Sequence, residues 1–240
     1  MSAPSRDPPA SGGESAIDLI HRAERLNDAA EYEAALEVLE RAIELDPANV
    51  DAFVARGWAL ENLGPDHAEE AQAAYEKAVA LDPRNPWGRQ GLAQLLESRG
   101  DVEEARALYR SVVEDFADDP DPDVDLLEIV GWCRHRLGDH EAAAETFRAA
   151  LAAEPDRASV RLDLALVLLH LGRPEGALTE VETALRSLEP TDPGHRRAVV
   201  QVALDDLQWA LLSDRGIDSS PEAARAQAAL EAVLATLPDR

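Results

Sequence analysis

Apolar residues return along most of this chain with the spacing of a helix face. Ala35, Leu39 and Ala42 stand four and three residues apart, and the same step recurs at Ala71, Tyr75 and Ala78, at Ala105, Tyr109 and Val112, at Ala143, Phe147 and Ala150, and at Ala177, Val181 and Ala184. Residues so spaced fall on one stripe of an α-helix. Three of these stretches run into near-copies of one phrase: Glu44-Leu45-Asp46-Pro47, Ala80-Leu81-Asp82-Pro83 and Ala152-Ala153-Glu154-Pro155. Each proline lacks an N–H to donate and ends its helix. The prolines lie 36 and then 72 residues apart, and a period of that size predicts a solenoid.

Each unit divides into two helical segments around a short turn containing Asn27-Asp28, Gly64-Pro65, Gly100-Asp101, Gly138-Asp139 or Gly172-Arg173. Glycine suits a left-handed helix stop, and a following Asp can cap the next helix. The units fall at 16–49, 50–85, 86–119, 124–157 and 158–191. Their first helices carry a small residue at Ala23, Gly57, Ala93, Gly131 and Ala165, opposite the small residues Ala35, Ala71, Ala105, Ala143 and Ala177 of the second helices. Antiparallel helices approach closely only where side chains are small, so this pairing predicts tight hairpins. After the fifth unit, segments from Pro193 to Leu212 and from Pro221 to Leu237 predict two further helices within 192–240. They form a divergent hairpin that caps the array, since the end of a solenoid needs a more polar cover. Residues 1–15, rich in Pro, Gly and Ser, read as a disordered leader.

The pattern resembles the tetratricopeptide repeat, with a small residue in each helix, an aromatic in the second and a closing proline. The resemblance covers residues 16–191 and recurs five times. It departs at Arg89 and Arg161, where the family often has Trp or Leu, at Arg22, Arg56 and Arg134, and at Ala117, where the third unit lacks its proline. The resemblance implies an all-α, right-handed superhelical solenoid of antiparallel helix pairs, with capping helices at the C-terminus. It also implies that the first helices line a concave groove for a partner. Residues near the small position on that face are then Ile20, Val54, Trp58, Glu61, Trp87, Gln90, Gln94, Glu128, Trp132 and His135. Three of the four tryptophans fall on this surface, among carboxylates. One family variant grips a peptide's terminal carboxylate with Lys, Asn and Arg. The matching positions here hold Ile20, Glu24, Ala55, Trp87 and Gly91, which do not suit that ligand.

Composition agrees with the helical reading, for aromatic residues are 4% of the chain and its apolar content is chiefly Ala and Leu. The formal charge of −25, spread over every unit, excludes a broad phosphate-binding surface and disfavours anionic membranes. Cys133 is alone, which fits a reducing cytoplasm. No run is apolar enough over roughly 18 residues to span a bilayer.

Chemistry-bearing patterns are sparse. The acidic run from Asp118 to Asp125 is no EF-hand, because a loop starting at Asp119 or Asp121 puts Val124 or Leu126 where glycine is required, and Val130 or Trp132 where glutamate is. It reads as a stiff linker with an Asp capping the next helix. Cys133 and His135 point to different helix faces, and His21, His67, His170 and His195 are scattered singly. The chain shows no phosphate loop, nucleophile elbow or His-Glu-x-x-His pair. The expectation is therefore a cytoplasmic, non-catalytic adaptor or scaffold with no metal or cofactor. Its groove would hold a protein segment of apolar or basic character. The alternative is a structural subunit that self-associates, for which the first helix of the fifth unit, Val160 to Leu171, is apolar on nearly every face.

Overall fold

The computed structural model describes residues 14–188, 191, 193–212 and 221–235. Among them the chain is helical and has no strand. The helices are α1 (Ala16–Asp28), α2 (Tyr32–Leu45), α3 (Val50–Leu63), α4 (Ala68–Leu81), α5 (Pro86–Arg99), α6 (Val102–Phe116), α7 (Val124–Leu137), α8 (His140–Ala153), α9 (Ala158–His170), α10 (Pro174–Leu188), α11 (Pro193–Leu212) and α12 (Pro221–Leu234). All but two residues of the expected leader lie outside the described residues. Ser15 closes a reciprocal cap with Asp18 at the start of α1.

The first helix of each early hairpin is started by a side chain. Asn49 accepts from the Ala52 N–H at 3.1 Å, Asn85 from Gly88 at 2.7 Å and Asp123 from Leu126 at 2.8 Å. Asp123 is thus the cap expected at the end of the acidic run. Gly100 and Gly138 stop α5 and α7 in the left-handed region, at φ 92° and 90°.

Consecutive helices pack as antiparallel pairs, and α1, α3, α5, α7 and α9 each touch the next odd helix, so they form one inner layer of an all-α, right-handed solenoid. The seam within each hairpin depends on size. A Cβ on Gly57 would lie 2.7 Å from the Tyr75 ring, and one on Gly131 would lie 2.6 Å from the Phe147 ring. The Tyr75 ring also meets the next unit, where a Cβ on Gly91 would stand 2.4 Å away. Each aromatic therefore fills space that the facing glycine leaves open.

Two of the arginines that depart from the repeat pattern, Arg89 and Arg161, have definite tasks. Arg89 is buried, pairs with Asp115 at 2.9 Å and donates to the Arg84 carbonyl at 2.7 Å. Arg161 pairs with Glu180 at 2.5 Å and donates to the Pro155 carbonyl. Both guanidiniums tie the loop before their own helix to the second helix of their own hairpin.

The apolar surface of α9 is covered within the chain. Val160, Leu162, Leu164, Leu166, Val167, Leu168 and Leu169 are all buried, with α8, α10 and α11 packed around them. At the C-terminal end α12 lies against α10, while α11 packs on α9 and α12 and reaches across to α1.

Candidate functional site

The inner layer encloses a groove of about 670 Å³. Its lining follows from helix geometry. Counting from the small seam residue, the positions three before and one after lie about 60° and 100° around the helix, on a stripe beside the seam. Those positions hold Val54 and Trp58 on α3, Gln90 and Gln94 on α5, and Glu128 and Trp132 on α7, and all six line the groove. Trp87, six before Ala93, falls on the same stripe and lines it too. From α1 the groove takes Glu24 and Asn27, from α9 Leu162 and Asp163, and from α11 His195, Val199, Val202 and Ala203.

The three tryptophans differ in their surroundings. Trp58 and Trp87 are 37% and 39% exposed, and Trp58 meets Tyr32 edge to face with centroids 5.6 Å apart. Trp132 is only 8% exposed and belongs to the apolar cluster built around α9. Arg136 lies over its ring at 5.8 Å. Trp132 is therefore a wall of the groove, while Trp58 and Trp87 present open surface to it.

Ile20, Glu61 and His135 are placed outside the lining. Ile20 is buried in the cluster that joins α1, α2 and α3. Glu61 and His135 stand four residues after Gly57 and Gly131, about 40° from them, and so share the seam stripe instead of the groove stripe. Glu61 accepts from the Tyr75 hydroxyl at 3.1 Å, and burial pushes its carboxyl up to about 6. His135 is buried, with its Nδ1 3.2 Å from Nδ1 of His140. The histidines that look scattered in the sequence are gathered here, for His170 brings its ring within 4.9 Å of His135 and 4.7 Å of His140.

Electrostatically the groove is acidic. Glu24, Asp28, Asp51, Asp125, Glu128 and Asp163 line it, along with Arg157. Burial, then the neighbouring Asp51 and Asp28, raises the Glu24 carboxyl despite His21 and Arg25. Burial also raises Glu128, against the opposing hydrogen bond from Ser159 and the charge of Arg157. Arg157 is held by Asp125, by Glu128 at 3.1 Å and by Glu154 at 3.5 Å. Cys133 is buried, and burial raises its thiol well above the ordinary range, so it is an inert packing residue. No helix among the described residues is long and apolar enough to cross a membrane.

Comparison with known proteins places this geometry. Family profiles described as "Tetratricopeptide repeat" match residues 63–124 and 134–193, and one described as "TPR repeat" matches residues 25–64. The chain is 29% identical over 213 residues to cellulose synthase operon protein C of Xanthomonas axonopodis pv. citri, which covers 87% of this chain and 14% of that relative. It is 26% identical over 164 residues to anaphase-promoting complex subunit 3 of Schizosaccharomyces pombe, covering 68% of this chain and 23% of the relative. The chain thus spans well under a third of either relative's length. A thermophilic TPR protein of Thermus thermophilus superposes with a TM-score of 0.58 at 23% identity, over 82% of this chain and 100% of its own. With its glycine-and-aromatic seams, its inner layer of first helices and three matched stretches that run through the array, this chain belongs to the tetratricopeptide repeat family.

Proposed function

We infer that the chain is a non-catalytic adaptor whose groove captures an extended, apolar segment of a partner protein that also carries Arg or Lys. The single observation that carries this reading is the pair Trp58 and Trp87. They are the large aromatics of the inner face that keep more than a third of their surface open, and they stand among carboxylates. Large rings of this kind bury much area with little loss of entropy and serve as anchors. A cation beside them gains both the ring face and the acidic lining. The acidic lining supports the same reading, because Glu24 stands near Asp51 and Asp28 and an entering cation offsets that like charge. Relatives support the general role, one of them being by name a subunit of a larger complex.

The test is a calorimetric titration of the full chain with synthetic peptides that alternate Leu or Phe with Arg, against counterparts carrying Glu in place of Arg. The basic series should bind and the acidic series should not. Trp58→Ala should weaken binding by about 30-fold, the equivalent of about 2 kcal/mol, while helicity stays unchanged. Equal binding of both series, or a folded Trp58→Ala/Trp87→Ala double variant with unchanged affinity, would overturn the reading.

A further inference from the structure

We propose that His135, His140 and His170 form a binding site for a borderline divalent metal ion of the zinc type, which would clamp the fourth hairpin to the fifth. Three of the six histidines of the sequence meet at this one point. His135 comes from the last turn of α7, His140 opens α8 and His170 closes α9. One ring nitrogen from each lies within 4.8 Å of those of the other two. Nδ1 of His135 and Nδ1 of His140 are 3.2 Å apart. Two nitrogens bound tetrahedrally to one zinc ion, at about 2.0–2.1 Å each, stand about 3.3 Å from one another.

The backbone holds this convergence in place. The left-handed Gly138 turns the chain so that His140 returns beside His135, with the Gly138 N–H bonded to the His135 carbonyl at 2.9 Å and the Asp139 N–H to the Arg134 carbonyl at 2.9 Å. His170 has its Nδ1 3.0 Å from the Leu166 carbonyl. A carbonyl only accepts, so Nδ1 carries the proton and Nε2 is the ligating atom of that ring. An outer hydrogen bond of this kind fixes tautomer and orientation in metal-bound histidines.

The donor set selects the ion. Neutral imidazoles suit zinc, copper, nickel and cobalt, whereas calcium and magnesium require oxygen ligands. His135 is buried, and burial favours the neutral ring. Neutral histidine is the form that binds metal. For His135 and His140 to ligate through Nδ1, both rings carry their proton on Nε2, a tautomer shift that releases no proton overall. Asp139 and Glu141 flank the site and favour a cation, while Arg136 opposes it. Three protein ligands leave a fourth position for water.

Titration of the full chain with zinc chloride, followed by calorimetry and native mass spectrometry, should show one tightly bound equivalent. His140→Ala and His170→Ala, both at partly exposed helix ends, should each weaken binding by at least about tenfold. His21→Ala and His67→Ala should leave it unchanged. Zinc should raise the melting temperature of the natural chain but not that of His170→Ala. Cobalt should give the visible absorption of a four-coordinate site in the natural chain alone. Absence of zinc binding at about 100 μM, an affinity some hundred-fold weaker than the micromolar scale, would overturn the proposal. So would a folded His140→Ala/His170→Ala double variant that binds zinc as well as the natural chain does, since the ion would then sit on the acidic surface.

Discussion

The position four residues after the small seam residue recurs in each of the five repeat hairpins, and α3 and α5 solve it differently from α7. In the second and third hairpins it holds Glu61 and Glu97, which accept from the hydroxyls of Tyr75 and Tyr109 at 3.1 and 3.2 Å. In the fourth the seam aromatic is Phe147, which has no hydroxyl, and the position holds His135, whose ring turns to His140 and His170. In the first it is Asn27, donating to the Ala55 carbonyl at 3.3 Å. In the fifth, where the seam residue is Val181, it is Leu169, buried among aliphatic neighbours. The repeat therefore conserves the space and exchanges its chemistry. Where the second helix offers a phenol, the first supplies a carboxylate; where the phenol is lost, the buried group has to find partners elsewhere, or be apolar.

The largest effect tests the shared part. Gly57→Leu and Gly131→Leu drive a side chain into Tyr75 and Phe147, and each should cost about 3 kcal/mol in urea unfolding. A wild-type midpoint at either would mean that the two seams are not equivalent. The next test separates them by pH. Glu61 titrates at about 6 when folded against 4.5 when unfolded. The native state therefore binds more protons between those values, and stability is lost as pH rises through that window. Glu61→Gln abolishes that loss. Relative to the natural chain, the variant should gain about 2 kcal/mol between pH 4 and pH 7, as read from urea midpoints. A constant difference would place the carboxylate in contact with water.

The smallest effect compares the two phenols. Tyr75→Phe leaves the Glu61 carboxylate without its hydroxyl donor and should cost about 2 kcal/mol at pH 7. Its penalty should shrink below pH 6, as Glu61 takes up a proton. Tyr109→Phe should cost less than about 1 kcal/mol. Glu97 keeps the Arg136 guanidinium at 2.7 Å in a largely buried pair. Equal losses in the two variants would show that the ion pair contributes nothing.

The seam was legible in the sequence because it repeats: Gly57, Ala71 and Tyr75 recur as Gly131, Ala143 and Phe147. The equivalence of Trp58 and Trp132 was legible for the same reason. Their unequal exposure was not, since Trp132 is covered by a neighbouring cluster that no spacing within its own unit reveals. Glu61 and His135 look like inner-face residues only if the face is taken as wider than a helix allows; a step of four returns almost beneath the small residue. The histidine cluster was hidden more deeply. His135 and His140 meet only because of the left-handed turn at Gly138, and His170 belongs to the next unit, so linear spacing cannot show that the helix ends converge.

The passage of α11 over the inner layer bears on how the molecule comes apart. In a solenoid each hairpin leans on its immediate neighbours, and an open array frays from either end, one unit at a time. The contact between α1 and α11 joins segments separated by most of the sequence, so fraying at one end removes support from the other. Closing so long a loop requires ordering of the intervening chain, which places this contact late in folding, after the local hairpins have formed. The amides of α1 and α11 should thus protect one another from hydrogen exchange, although the two helices lie far apart in the sequence.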